Sequence, residues 1–147
     1  MKKPVYTVPP DYTVEEAAAL LLEKKISGLP VVDENNRLIG IITRSDLFRV
    51  IISLSGLGKK GIQFAIRIKD MPGTIKDVRE LIHEYGARTA SILSSSDNVP
   101  VDHLNFYFRI YQIDRQKLPD LLADIKEKGT LLYMVDHREN KRIIYDS

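Results

Sequence analysis

The chain has 147 residues, 44% of them apolar and 29% charged, with a net charge of +2 and no cysteine. That length suits one average domain or two small ones. A near-neutral balance with no basic stripe argues against nucleic acid as a direct partner. The absence of cysteine excludes a disulfide framework, a thiol nucleophile and a thiolate metal site.

The first element is a helix opened by the capping box Thr13-x-x-Glu16, with Val14, Ala17, Ala18, Leu21 and Leu22 at apolar spacing. It runs to about Lys25, where two lysines suit the negative helix end and Gly28 follows. Val31-Val32 and Leu38 to Ile42 are short buried strands on either side of a polar Glu34-Asn35-Asn36-Arg37 turn. A helix from about Ser45 then carries Leu47, Phe48, Val50, Ile51, Ile52 and Leu54, apolar on more than one face. Such a helix needs wide cover.

Ser53 to Gly61 packs three glycines into nine residues and reads as a linker. Ile62, Phe64, Ile66 and Ile68 then alternate with polar or small residues, the period of a half-buried strand. Pro72 and Gly73 turn the chain into a helix from about Thr74 to Tyr85, ended by Gly86. Ala87 to Leu93 is a second strand, Ser94 to Pro100 a turn or loop, and Leu104 to Tyr111 a third strand. Asp114 is expected to cap a helix to about Lys128, stopped by Gly129. Leu131 to Val135 is the fourth strand and Lys141 to Tyr145 a fifth. The order βαββαβ predicts a ferredoxin-like antiparallel sheet with both helices on one face.

Two stretches carry candidate chemistry. Thr43, Arg44, Ser45 and Asp46 sit where a strand meets a helix N-terminus, a place whose free N–H groups and dipole favour anions. Asp46 can accept from ribose hydroxyls, Thr43 can bond either sugar or phosphate, and Arg44 can neutralise phosphate. The plainer account of Ser or Asp there is an N-cap, worth about 1 kcal/mol. The second stretch, Asp70-Met71-Pro72-Gly73-Thr74, pairs an acceptor for an ammonium group with N–H donors for a carboxylate. Its plainer account is a capping Asp70 and a turn glycine.

From Pro4 to Ile52 the chain resembles CBS domains, modules named after cystathionine β-synthase, in four ordered segments. These are Pro4-Val5-Tyr6-Thr7-Val8, Thr13 to Ala18, Ile26 to Asp33, and Gly40-Ile41-Ile42-Thr43-Arg44-Ser45-Asp46. The resemblance implies an adenosyl ligand, AMP, ADP, ATP or S-adenosylmethionine, with Thr7 and the Ile26-Ser27-Gly28 turn facing the adenine. From Gly61 to Val135 the loop Asp70 to Ile75, in its place before the first helix, resembles ACT domains. That implies an amino acid held by Asp70, Met71, Gly73 and Thr74. The two together resemble acetoin utilization protein B-like CBS–ACT regulatory proteins.

The expected architecture is therefore α+β: half of a CBS pair over residues 1–55, a linker over 56–61, and a βαββαβ ACT domain over 62–147. The resemblance implies ligand sensing without catalysis or cofactor, in a homodimer or higher homo-oligomer, with a regulated enzyme as a further partner. A dimerisation or docking module with vestigial sites is the alternative. CBS units normally come in pairs, and Met1-Lys2-Lys3-Pro4 looks like the join into a second repeat, so a fragment or a single-repeat protein is expected. His83, His103 and His137 show no metal-ligand spacing, and no nucleophile or phosphate-loop motif is present. With no run of eighteen apolar residues and no signal-like apolar stretch after Met1-Lys2-Lys3, no membrane partner and a cytoplasmic location are expected.

Overall fold

The structure, a computed structural model, describes residues 5–145. The chain forms two compact units that divide between Ile51 and Ile52. The expected join at Met1 to Pro4 lies outside the described residues.

The first unit begins with an extended segment in which Val8 bridges Val31 in parallel, the Val8 N–H donating to Pro30 O at 3.0 Å. Helix α1, Val14–Lys24, opens with the expected capping box, Thr13 and Glu16 each satisfying the other's backbone. Its stop differs from the expectation. Lys25 itself takes the left-handed conformation at φ 54°, and Gly28 lies in the next strand. Strands β1, Gly28–Val32, and β2, Leu38–Thr43, pair antiparallel around a turn organised by Asp33, whose carboxylate accepts from Asn35 and Arg37 N–H groups at 2.9 Å. Helix α2, Arg44–Ser55, follows β2 without a break.

The buried core of this unit is only Val8, Ala17, Leu21 and Leu29, with Tyr6, Leu20, Ile26, Val31, Ile42 and Leu47 packed around it. β2 was expected to be buried, yet Leu38 and Ile41 are 70% and 62% exposed. In the same way α2 buries no residue fully, and Phe48 and Ile51 face solvent. The strand pairs on one side and buries neither face well, which is what a unit lacking its cover looks like.

The second unit is a five-stranded antiparallel sheet in the order β4-β5-β3-β6-β7. Its strands are β3 Ile62–Lys69, β4 Arg88–Ser95, β5 His103–Tyr111, β6 Thr130–Asp136 and β7 Lys141–Ile144. Helices α3, Thr74–Glu84, and α4, Leu118–Lys126, complete the βαββαβ order, with β7 as an added edge. One sheet face carries Phe64, Ile66, Phe106, Phe108 and Ile110 against Val78 and Ile82 of α3 and Leu121 and Ile125 of α4. Phe64 and Phe108, opposite each other in register, stack with centroids 5.1 Å apart.

Three boundaries moved. Ser94 and Ser95, expected in a loop, belong to β4 because Phe106 and Asn105 of β5 pair with them. β5 starts at His103, one residue before the expected Leu104. Asp114 does not cap α4: its carboxylate accepts from Gln116 N–H in a preceding turn, and the helix starts four residues later beside Pro119.

Candidate functional site

The candidate nucleotide cluster is assembled by the β1–β2 ladder. Gly28 pairs with Thr43 in register, and Arg44 N–H donates to Ser27 O at 3.2 Å. The ladder therefore brings the Ile26–Gly28 turn beside the N-terminus of α2. There Thr43 and Asp46 form a reciprocal cap. Asp46 Oδ2 accepts from Thr43 N–H at 2.8 Å and from its hydroxyl at 2.9 Å, while Thr43 Oγ1 accepts from Asp46 N–H at 3.3 Å.

The cap is therefore present, and it occupies the candidate groups. Thr43 N–H holds the Asp46 carboxyl below its usual pKa, the Thr43 hydroxyl adds to this, and burial opposes it. Arg49 Nη1, 3.0 Å from Asp46 Oδ1, contributes last. Sequence reasoning missed Arg49, although its i+3 spacing from Asp46 on a helix was visible. A carboxylate offers about four acceptor positions, of which Thr43 uses two and Arg49 one. One position on Oδ1 remains for a ligand hydroxyl. A second opens when the largely exposed Arg49 swings away. Arg44 and Ser45 are exposed at the same helix end.

Thr7 is not part of this cluster. It lines a concavity of about 630 Å³ with Pro9, Pro10, Asp33 and Asn35, on the other side of β1 from β2. By strand spacing and rise its backbone lies roughly 12 Å from that of Thr43.

At the second candidate site the loop groups satisfy one another. Thr74 hydroxyl donates to Met71 O at 2.9 Å, and Asp70 N–H donates to Asp102 O at 2.7 Å. The N-cap of α3 is Gly73, with no side-chain cap, so Asp70 does not cap the helix as its plainer account required. Gly73 has φ 87°, a conformation that favours glycine, and a Cβ there would meet nothing within 4 Å. The turn geometry alone requires this glycine. Met71 is exposed.

Tyr107, Arg109 and Tyr111 alternate along one face of β5, and Arg109 is only 3% exposed. Its Nε donates to Ser55 O and its Nη1 to Lys60 O, both at 2.7 Å, and Ser91 hydroxyl donates to Leu54 O. The glycine-rich stretch after α2, read from sequence as a linker, is thus tied to the sheet and holds a short 3-10 turn, Leu57–Lys59. His137 Nε2 is buried without a hydrogen-bond partner. Burial lowers its pKa first, and the positive charge of Arg109 adds to that. Among the described residues no group of three His, Asp or Glu side chains could hold a metal ion, and no helix is long and apolar enough to cross a membrane.

Residues 1–53 match the family model described as CBS domain. CBS domain-containing protein CBSX2, chloroplastic, of Arabidopsis thaliana is 30% identical over 131 residues, covering 86% of this chain and 55% of that protein. Uncharacterized protein MJ1426 of Methanocaldococcus jannaschii is 44% identical over 52 residues, 35% of this chain and 31% of that protein. A solved structure, "Crystal structure of CBSX2 in complex with AMP", superposes with a TM-score of 0.32 at 24% identity, covering 83% of this chain and 90% of that one. The first part of the chain is a CBS domain, and the chain spans about half or less of the length of these curated relatives. The ACT reading and the likeness to acetoin utilization proteins rest on the loop motif and the βαββαβ order alone.

Proposed function

We propose that this chain is a non-catalytic regulatory sensor that binds an adenosyl ligand at the N-terminus of α2. One observation carries the reading: in a CBS domain, the β1–β2 ladder gathers Ser27, Gly28, Thr43 and Asp46 at a helix N-terminus beside exposed Arg44 and Ser45. Asp46, held ionised, accepts ribose hydroxyls at Oδ1, while the exposed Arg44 guanidinium takes phosphate. Ile26, in the turn before β1, flanks the adenine, and Thr7 lies outside the reach of this cluster. The sequence relative CBSX2, which has been solved with AMP, supports an adenine nucleotide as the first ligand to try.

In this reading residues 1–55 are the CBS part, 56–61 the connection and 62–147 an ACT domain. The amino-acid site at Asp70, Met71, Gly73 and Thr74 is its weaker half, because Thr74 spends its hydroxyl on Met71 O. The protein assembles as a homodimer, the exposed Leu38, Ile41, Phe48 and Ile51 supplying the surface to be covered.

The mutual Thr43–Asp46 cap favours a second reading, an interaction module in which the site residues only end a strand and start a helix. A thermal-shift screen with AMP, ADP, ATP, S-adenosylmethionine and the twenty amino acids separates the two. Stabilisation by an adenosyl ligand supports sensing, and a flat screen over a dimeric protein supports the interaction module.

A further inference from the structure

Beside α4 part of the core of the second unit reaches the surface. Along α4, Leu121 and Ile125 are fully buried, whereas Leu118 and Leu122 each keep 8% exposure. Those two form the floor of a cavity of about 320 Å³ between α4 and the β6–β7 hairpin, walled by Met134 and Ile143. Its rim carries Lys126 from the last turn of α4 and Lys141 from the start of β7. No carboxylate lines it, and among the described residues neither lysine forms an ion pair. Lys126 Nζ lies 4.5 Å from the centroid of the Tyr145 ring, which lines the same cavity and holds that ammonium group at the rim.

An apolar floor under two unpaired cations calls for a ligand with an apolar tail and a single negative head. We propose that this cavity is a binding site for a small amphipathic monocarboxylate, its tail on Leu118, Leu122, Met134 and Ile143 and its carboxylate between Lys126 and Lys141. At ~30 Å³ per water-sized volume the space holds roughly ten non-hydrogen atoms, the size of octanoate. A ligand that small is expected to bind with a dissociation constant on the order of 1 mM. This site does not depend on the adenosyl reading and lies far along the chain from its residues.

The test is a heteronuclear NMR titration of the full-length chain with octanoate, and with octylamine as a tail of equal length and opposite charge. Octanoate is expected to shift amides of residues 118–126 and 141–145 saturably, and octylamine to leave them unmoved. Replacing both lysines, K126E with K141E, should weaken octanoate at least about tenfold through loss of two charge-assisted contacts. A second variant, Ala123→Trp, fills the mouth from an exposed helix position and should block binding with no loss of fold. Equal shifts with octylamine, shifts spread over other surfaces, or none by about 10 mM ligand would each overturn the proposal.

Discussion

Arg109→Met isolates the clamp that holds the end of α2. Methionine keeps the apolar stem in place but removes the hydrogen bonds to Ser55 O and Lys60 O. A hydrogen bond from a charged donor is worth about 1.5–3 kcal/mol, so the gross loss is roughly 3–6 kcal/mol. Two effects reduce it. The guanidinium is buried, and desolvation, which lowers its pKa, is no longer suffered. Lys60 is exposed, so water can replace Arg109 on its carbonyl. Ser55 O, one of the orphan carbonyls of the last helical turn, is only partly exposed and loses its donor. The net expectation is about 2 kcal/mol. Urea unfolding followed by tyrosine fluorescence should show the midpoint fall with an unchanged slope, and amide exchange should quicken over residues 56–60. Arg109→Lys, a point charge without the fork, should recover about half. A loss under about 0.5 kcal/mol would refute the view that this stretch is clamped.

Three further outcomes follow from local geometry. Gly61 has φ 57° and a Cβ there would sit 2.1 Å from Ile110 O, so Gly61→Ala should destabilise by about 2 kcal/mol or more in urea unfolding, whereas Gly40→Ala, with nothing within 4 Å, should not. For Asp136, burial raises the pKa but is outweighed by Arg115 and the Glu139 and Arg138 N–H groups, leaving it depressed. Its stabilisation is therefore complete above the unfolded carboxylate value of about 3.9 and lost as pH falls below it towards the folded value, a loss that Asp136→Asn should remove from the stability–pH curve. Tyr85 hydroxyl donates to Asp124, and that bond, with burial and the Asp124 charge, pushes its pKa up to about 12. Burial also raises the pKa of Tyr133 and Tyr145, so an ultraviolet titration should show several tyrosines titrating late in the wild type, with one of them, Tyr85, shifting down in Asp124→Asn.

Where a local pattern settles a structure, the sequence sufficed. Thr13 and Glu16 announce their capping box, Gly86 ends α3 with φ 79°, and alternation in β3 and β5 selects the buried sheet face. The failures come from partners distant in sequence. Ser94 and Ser95 have loop composition, but pairing with Phe106 and Asn105 makes them strand. Arg109 sits at a polar position of an alternating strand, and only the fold supplies the carbonyls of Ser55 and Lys60, more than forty residues away, that bury it. That Ser27, Gly28, Thr43 and Asp46 come together was legible because β1, β2 and α2 follow one another closely. Arg49 stands one turn inside α2, where only its i,i+3 spacing from Asp46 signals the contact. Gly73 also changes its meaning: at φ 87° the turn itself requires a glycine, so its presence is no sign of close ligand approach.

Calorimetric titration of AMP into the wild type and into Asp46→Asn tests the central claim most directly. Asparagine keeps an acceptor for Thr43 and hence the helix cap, while removing the charge that a ribose hydroxyl would meet. The account predicts saturable binding to the wild type and an affinity lower by about tenfold or more in a variant with unchanged circular dichroism. Equal affinity in the two proteins, or no heat from AMP, ATP or S-adenosylmethionine with either, would contradict it and leave Thr43 and Asp46 as a helix cap.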